Sequence, residues 1–556
     1  MQIIYNSLDF ILVHENDKQY INSIYGILKA CGHDMFVNQG LTHWKRVYPI
    51  ENIRQDCNEK NVYIVKKVND IVATFQIDID GKTAYLSKFA VAPEYSGNGI
   101  GKSCLLFLFD FCKAEKLCCI RLDVYDKSLK AISFYKNNGF TAIGTAPTKN
   151  FTVVLMEKTM RKILFIGAGF LQKFLIQKAK EIGNITLAVD ANPNAVGYQY
   201  ADKHATIDII DQEACLRYAQ EQNVDGVVTA ATDFGVLTAS YIAQKLHLPG
   251  LSYHTACQVK NKYLVHKRLF DSHADDAKRA YEVSTLNEIA GLEFQLDYPV
   301  MVKPCDGSGS RGASKVKCHK DLEDACRLAL NQSLSHHAVI EPFYTGEEYG
   351  VESFVLEGCI YVLAIMKKRM TNAPYYAELG HIFPSGLPDS VEHKIKSSVE
   401  KAIKALAIDF GSVNMDLLLT DDGEIHIVDV GVRMGGNLIG SHIVPLGTGV
   451  DYMRMILCAA TGNLDTAPHI RRKNAVATRL LALRPGQVMG LPDFREIENE
   501  FNVSIYQHLE IGTVINEYHT NLDGCGYVVA TGSNASIAEQ RAEAALRQID
   551  AGIIRK

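Results

Sequence analysis

The sequence predicts a multidomain protein of mixed α/β and α+β class, on three observations. At 556 residues the chain exceeds what one hydrophobic core organises. Twice a strand-like apolar run enters a glycine-rich turn that opens an amphipathic helix, at residues 97–101 and 167–169. Between Ser412 and Asn437 two apolar runs flank Asp421-Asp422-Gly423, and Asp-Gly is a strong hairpin signal. Hydrophobic residues at 47% and charged residues at 22% are ordinary for a water-soluble globular chain. A net charge of −5 offers no basis for a nucleic-acid or membrane-surface partner.

The hairpin carries the densest chemistry. With Asp422-Gly423 as a two-residue turn, Asp416 lies opposite Asp429 and Asn414 opposite Gly431. Side chains alternate faces, so Asn414, Asp416, Asp429, Gly431 and Arg433 share one. Val413, Met415, Leu417, Val428, Val430 and Val432 form the other, expected as core. Opposed carboxylates about 5 Å apart repel each other unless a cation lies between them. Oxygen ligands with an arginine four residues on suit Mg²⁺ or Mn²⁺ bound with phosphates.

In the N-terminal part, residues 62–80 and 82–92 read as strands turning at Asn69-Asp70 and Asp80-Gly81. They precede Ser96-Gly97-Asn98-Gly99-Ile100-Gly101-Lys102, where glycines let backbone N–H groups approach an anion at a helix start. A strand (119–126) and the segment Ser128–Phe140 follow. This order resembles the GNAT N-acetyltransferase superfamily over residues 60–157. Its glycine loop and its pattern N-x-x-A-x-x-x-Y-x-x-x-G-F are matched with Ser96 in place of Arg or Gln, and Ser128 in place of Asn. The resemblance implies acetyl-CoA as cofactor. The backbone of Phe89 and Val91 would hold the pantetheine arm and Gly97 to Lys102 the pyrophosphate. Tyr135 would protonate the leaving thiolate. Glu94, Asp123 or a water chain remain open as the base.

Residues 162–193 mimic a dinucleotide fingerprint, with Gly167-Ala168-Gly169 ending a strand and Asp190 ending the next. Gln172 stands where the third glycine belongs, so NAD is not expected. Four separated pieces then follow in order: Lys262 on a helix basic along one side; Lys303 on a strand before the loop 306–314, which includes Ser308 and Ser310; Glu341, Phe343 and Glu348 around a strand crossing; and the hairpin. Together they resemble the ATP-grasp superfamily over residues 161–465. The tail, 479–550, is similar to that of L-amino-acid ligases. The resemblance implies ATP held by Lys262, Lys303, Ser308, Ser310, Glu341, Phe343 and Glu348. Metal would be held by Asp416, Asp429 and Asn414, the last replacing the asparagine that Gly431 lacks. Arg433 would steady an acyl phosphate, and His381 and His442 are candidate bases.

The expected architecture is a GNAT fold (1–160), a Rossmann-like pre-ATP-grasp lobe (161–255), a two-lobed ATP-grasp domain (256–465) and a small α+β subdomain (466–556). The expected enzyme acetylates an amine from acetyl-CoA. It also joins a carboxylate, an amino acid foremost, to an amine with release of ADP. The alternatives are an ATP-grasp carboxylase or formate-using ligase, or a sensor with decayed sites. Amino acids, peptides or amines are the expected partners, with a homodimer as the candidate assembly. Fourteen cysteines without a Cys-x-x-Cys pair, and no basic leader or long apolar run, point to a reducing, cytoplasmic setting.

Overall fold

The computed structural model describes residues 2–5, 7–292, 295–307, 312–372, 375–464 and 467–556. The chain divides into two compact units: residues 1–162 with 177–186, and residues 163–176 with 187–556. The expected Ser308 and Ser310 lie outside the described residues.

The first unit is built on an eight-stranded sheet: β1 (Gln2–Tyr5), β2 (Leu8–Leu12), β3 (Asn61–Lys67), β4 (Asp70–Asp80), β5 (Thr83–Val91), β6 (Cys119–Tyr125), β7 (Thr141–Pro147) and β8 (Thr152–Thr159). Neighbours follow sequence order until the last two, where β8 lies between β6 and β7. Alternation sorts the faces. Tyr63, Phe75, Leu86 and Leu122 join a core with helix α3 (Ile100–Ala114). Val62, Ile64 and Ala90 join a second core with helices α1 (Lys18–Gln39) and α2 (Ile50–Glu59). Both hairpin turns fall one residue from expectation, because Asp70 already pairs with Lys67 and Thr83 with Asp80. The first turn is made by Val68 and Asn69, with Val68 at φ 60°.

The second unit carries three larger sheets. A four-stranded sheet holds β9 (Lys162–Ile166), β10 (Ile185–Asp190), β11 (Lys203–Thr206) and β12 (Gly226–Val228). Another holds β13 (Tyr281–Val283), β14 (Val300–Pro304), β15 (Ser314–Val316) and β16 (Ala338–Pro342). The eight-stranded sheet begins at the hairpin and ends in the C-terminal region. Its order is β21 (Ile425–Gly431), β20 (Gly411–Leu419), β17 (Glu347–Leu356), β18 (Cys359–Met370), β19 (Glu378–Phe383), β22 (Ala475–Leu480), β26 (Gly526–Gly532) and β24 (Val503–Gln507). Residues 467–556 are therefore continuous with it through the β19–β22 pairing. Short strands β23 (Gly486–Gly490), β25 (Val514–Ile515) and β27 (Ile554–Arg555) complete this unit. The expected succession is present: a unit built on one sheet, then a larger unit whose main sheet runs on into a small C-terminal region.

The hairpin departs from expectation in an instructive way. Thr420 pairs with Glu424, so the loop is three residues, Asp421 to Gly423, rather than two. A bulge between Asp416 and Leu417 then takes up the extra residue, Val428. Beyond it Asp416 faces Asp429 and Asn414 faces Gly431, as the two-residue turn would have set them. Val428 consequently leaves the core face and lines a cleft. Ile425 and Ile427 take the buried positions beside Met415 and Leu417. A bulge adds one residue to one strand only, so it shifts register while leaving the partner in place.

Among the described residues the fourteen cysteines form no disulfide. Among the described residues no single helix is long and apolar enough to cross a membrane.

Candidate active sites of the two units

In the first unit, β5 and β6 run parallel but pair only from Thr83–Cys119 to Tyr85–Arg121. Among the described residues the edge of β5 toward β6 has no strand partner beyond that point, so backbone groups from Leu86 to Val91 can pair with a ligand. A bulge on β5 at Lys88 and Phe89, with Lys88 at φ 49°, turns the strand there. The Val91 carbonyl accepts a hydrogen bond from Cys31 Sγ at 3.2 Å. The glycine loop follows. Gly97 and Gly99 hold φ of 83° and 77°, and a Cβ on either would meet nothing within 4 Å. Gly99 caps α3, which begins at Ile100, so the first N–H groups of Ile100, Gly101 and Lys102 stand at a helix N-terminus. Asn98 lies between the two turn glycines. Gly101 is pressed to an aromatic layer: a Cβ there would lie 3.3 Å from Phe134 and 3.8 Å from Phe89.

Tyr135, on helix α4 (Leu129–Asn137), is buried with its ring 6.4 Å from that of Phe89. Burial, then the Asp123 charge, pushes its hydroxyl pKa up, so it stays protonated. That is the state a proton donor to a thiolate needs.

In the second unit a cleft of about 1010 Å³ gathers Lys262, Lys303, Glu341, Phe343, Glu348, Asn414, Asp416, Asp429 and Arg433. The helix expected around Lys262 is two helices, Tyr253–Lys260 and Lys262–Ser272, broken at Asn261. Asn261 caps the second one by accepting from Leu264 N–H at 3.1 Å, which puts Lys262 on its first turn. Lys262 reaches across to Asp429. Burial alone would raise Asp429, but Lys262, Lys303 and Arg433 outweigh it and hold the carboxyl ionised. Lys303 on β14 pairs with Glu341, which His266 also meets at 2.7 Å. Against burial, Lys303 and then the contact with His266 hold Glu341 down to about 2.

Asp416 meets a residue the sequence reading did not single out. Lys368, 4% exposed, lies 3.0 Å from Asp416, 3.4 Å from Glu348 and 3.6 Å from Glu378. Its charge survives burial because three carboxylates surround it. The available signal was Lys367-Lys368-Arg369 in an apolar strand, where period two sends Lys368 to the Glu348 face. Glu352 is the second addition. Fully buried, it accepts from Tyr452 at 2.8 Å, Asn414 Nδ2 at 3.0 Å and Gly435 N–H at 3.1 Å, and burial raises it to about 7. Asp233 is the third: it accepts from Arg433 Nε at 2.9 Å. Nothing local in sequence links residues 233 and 433.

Arg433 also donates to Asn414 Oδ1 at 3.4 Å. Its guanidinium folds over Gly431, where a Cβ would lie 3.0 Å from Cζ. Glycine at 431 thus clears the seat of the arginine. Of the candidate bases, His381 is fully buried, 3.1 Å from Glu378, and burial lowers its pKa. His442 is lowered to about 4 by burial and then Lys173, and it does not line the cleft.

Asp416 and Asp429 present oxygen donors on one face, which suits Mg²⁺ or Mn²⁺. Among the described residues no group of three or more His, Cys, Asp and Glu is arranged to hold a metal. Two carboxylates with remaining ligands from phosphate and water is the way Mg²⁺ is usually bound. Asp190 accepts from Ala168 N–H at 2.8 Å, and Gln172 Oε1 lies 2.8 Å from where a Cβ on Gly169 would be.

Comparison with known proteins adds the families. Residues 28–140 match the acetyltransferase (GNAT) family, residues 296–441 the ATP-grasp domain, and residues 479–553 the L-amino acid ligase C-terminal domain 2. The uncharacterized protein y4rH of Sinorhizobium fredii is 24% identical over 65% of this chain and 76% of its own. Formate-dependent phosphoribosylglycinamide formyltransferases recur among the relatives. That of Methanocaldococcus jannaschii is 25% identical over 33% of this chain, which spans about half of it, 47%. In fold, the crystal structure of L-amino acid ligase from Bacillus licheniformis is similar, with TM-score 0.60, 23% identity and coverage of 71% of this chain and 99% of that one.

Proposed function

We propose that this fusion of a GNAT acetyltransferase domain with an ATP-grasp domain and a C-terminal ATP-grasp-associated domain acts through its second unit as a carboxylate–amine ligase. ATP-grasp ligase chemistry is the general class; the finer reading is as follows. The observation that carries it is the single cleft in which Lys262, Lys303, Lys368 and Arg433 face the opposed Asp416 and Asp429.

A substrate carboxylate oxygen attacks the γ-phosphorus of ATP, the bond to the β-phosphate oxygen breaks, and ADP leaves. An amine then attacks the acyl phosphate carbon, expels inorganic phosphate and loses a proton to solvent, leaving an amide. Lys262 and Lys303 screen the phosphates, and Glu341 keeps Lys303 extended toward them. Asp416, Asp429 and Asn414 would hold the divalent ion, which neutralises phosphate charge when bound. Arg433, oriented by Asp233, would fork onto the acyl phosphate. With ligand bound, Lys262 and Lys368 exchange their carboxylate partners for phosphate oxygens. In the first unit, Gly97 to Lys102 and the free edge at Phe89 and Val91 would hold acetyl-CoA, with Tyr135 as the proton donor. We take the domain borders to fall near residues 160, 255 and 465.

Two carboxylates compete. The L-amino-acid-ligase match of residues 479–553 supports an amino acid. The named curated relatives weigh instead towards the formate-using alternative. The test is phosphate release on the full chain with ATP, Mg²⁺ and pairs of amino acids, against formate with an amine, followed by mass spectrometry. ADP with a dipeptide mass supports the first, and ADP with a formyl adduct the second. AMP with pyrophosphate would end both.

A further inference from the structure

The acetyl-accepting side of the first unit has a charge pattern that the acetyl-CoA side does not need. On the sheet face covered by α1 and α2, Lys88 stands three residues past the last β5–β6 pair, and Asp123 two residues past it on β6. The alternate residues of β6, Leu122 and Val124, point to the opposite core, which fixes the face of Asp123. Lys88 is half-buried, and burial depresses its pKa despite the fields of Asp56 and Asp123. Its ammonium lies 4.3 Å over the Tyr48 ring. Among the described residues it forms no ion pair or hydrogen bond, and neither does the Asp123 side chain.

Asp56, the other acid whose field reaches Lys88, is already satisfied: it accepts from Tyr48 at 2.8 Å and Gln76 at 3.0 Å, and pairs with Lys60 at 3.0 Å. That buried network fixes Tyr48 under the lysine. On the β6 side, His43 packs its ring 4.5 Å from that of Tyr125. The unit thus holds a cation and an anion apart across the place where two strands separate. Asp123 is exposed to solvent and Lys88 is half-buried beside it on the same face; a cation and an anion set apart in this way are complementary to a molecule carrying both charges.

We propose that the acetyl acceptor is a zwitterion, an amine with a carboxylate on the same small molecule, whose carboxylate is bound by Lys88 and whose ammonium is bound by Asp123. This rests on the acetyltransferase reading of the first unit. The ammonium sheds one proton to solvent, and its nitrogen then attacks the thioester carbonyl. The C–N bond forms as the C–S bond breaks. The nitrogen's further proton goes to solvent, the sulfur leaves as CoA thiol with a proton from Tyr135, and Tyr135 regains a proton from solvent.

The test is thiol release by the full chain from acetyl-CoA, with amino acids compared with their amides and decarboxylated amines. The acids should be favoured in kcat/KM by about tenfold or more, the worth of a hydrogen bond to a charged group. Lys88→Gln should raise KM for the acids by about that factor, with kcat and the KM for acetyl-CoA little changed. Lys88→Arg should keep the preference. Amides used as well as acids, or an acid preference that survives Lys88→Gln, would overturn the inference while leaving the acetyltransferase reading intact. Failure of the wild-type chain to bind acetyl-CoA by calorimetry would overturn both. Acetyl-CoA binding by Lys88→Gln checks that this variant is folded.

Discussion

Gly431 shows how a single residue is chosen by what lies over it. A methyl group there would stand 3.0 Å from the Arg433 carbon and 3.2 Å from both terminal nitrogens, so the guanidinium would have to leave its place. Its bonds to Asp233 and Asn414 would lengthen together. Gly431→Ala should therefore lower ligase kcat by about 10- to 100-fold, the cost of moving a positioning group by about an ångström. KM for ATP should stay within about twofold, because the lysines that would bind phosphates are untouched. Steady-state ADP release decides it; an unchanged kcat would remove Arg433 from the chemistry.

Elements set which face a residue takes. The bulge in β21 sends Val428 to the cleft and keeps Val430 in the core, 7% exposed. Val430→Ala should cost about 1–3 kcal/mol, the loss of a buried branched side chain. Val428→Ala should cost less than about 1 kcal/mol, the range of a side chain outside the core. Urea denaturation of the two variants makes the comparison, and equal costs would contradict the face assignment. The expected two-residue turn at Asp422-Gly423 missed this, because the Asp-Gly signal marks a turn without counting its residues. The true loop adds one residue and the bulge absorbs it, so the Asp416–Asp429 pairing came out the same for a different reason.

At the scale of the whole chain, two chemistries reside in two compact units, each with its own core. Asp416→Asn and Asp429→Asn should each abolish ATP consumption and leave acetyl transfer intact. Tyr135→Phe should slow acetyl transfer and leave ADP release unchanged. Parallel thiol-release and phosphate-release assays on one preparation read both. Loss of both activities in either variant would mean that the sites are not separable.

By itself the sequence determined the order of the two folds and nine residues of one cleft. Asp416, Asp429 and Arg433 stand in a local signal, acids on an apolar hairpin, whereas Lys262, Lys303, Glu341 and Glu348 were legible only through the order they share with the ATP-grasp superfamily. Lys368 was visible as a lysine on a strand, but its three carboxylate partners come from β17, β19 and β20. Asp233 and Glu352 carried no local mark, since what they orient lies 200 and 62 positions away. Only tertiary structure decided those partners, and only it held Lys88 and Asp123 apart on separating strands. The reason is physical. Propensity and periodicity act over a few residues, whereas the pairing of buried charges depends on which strands the whole sheet brings side by side.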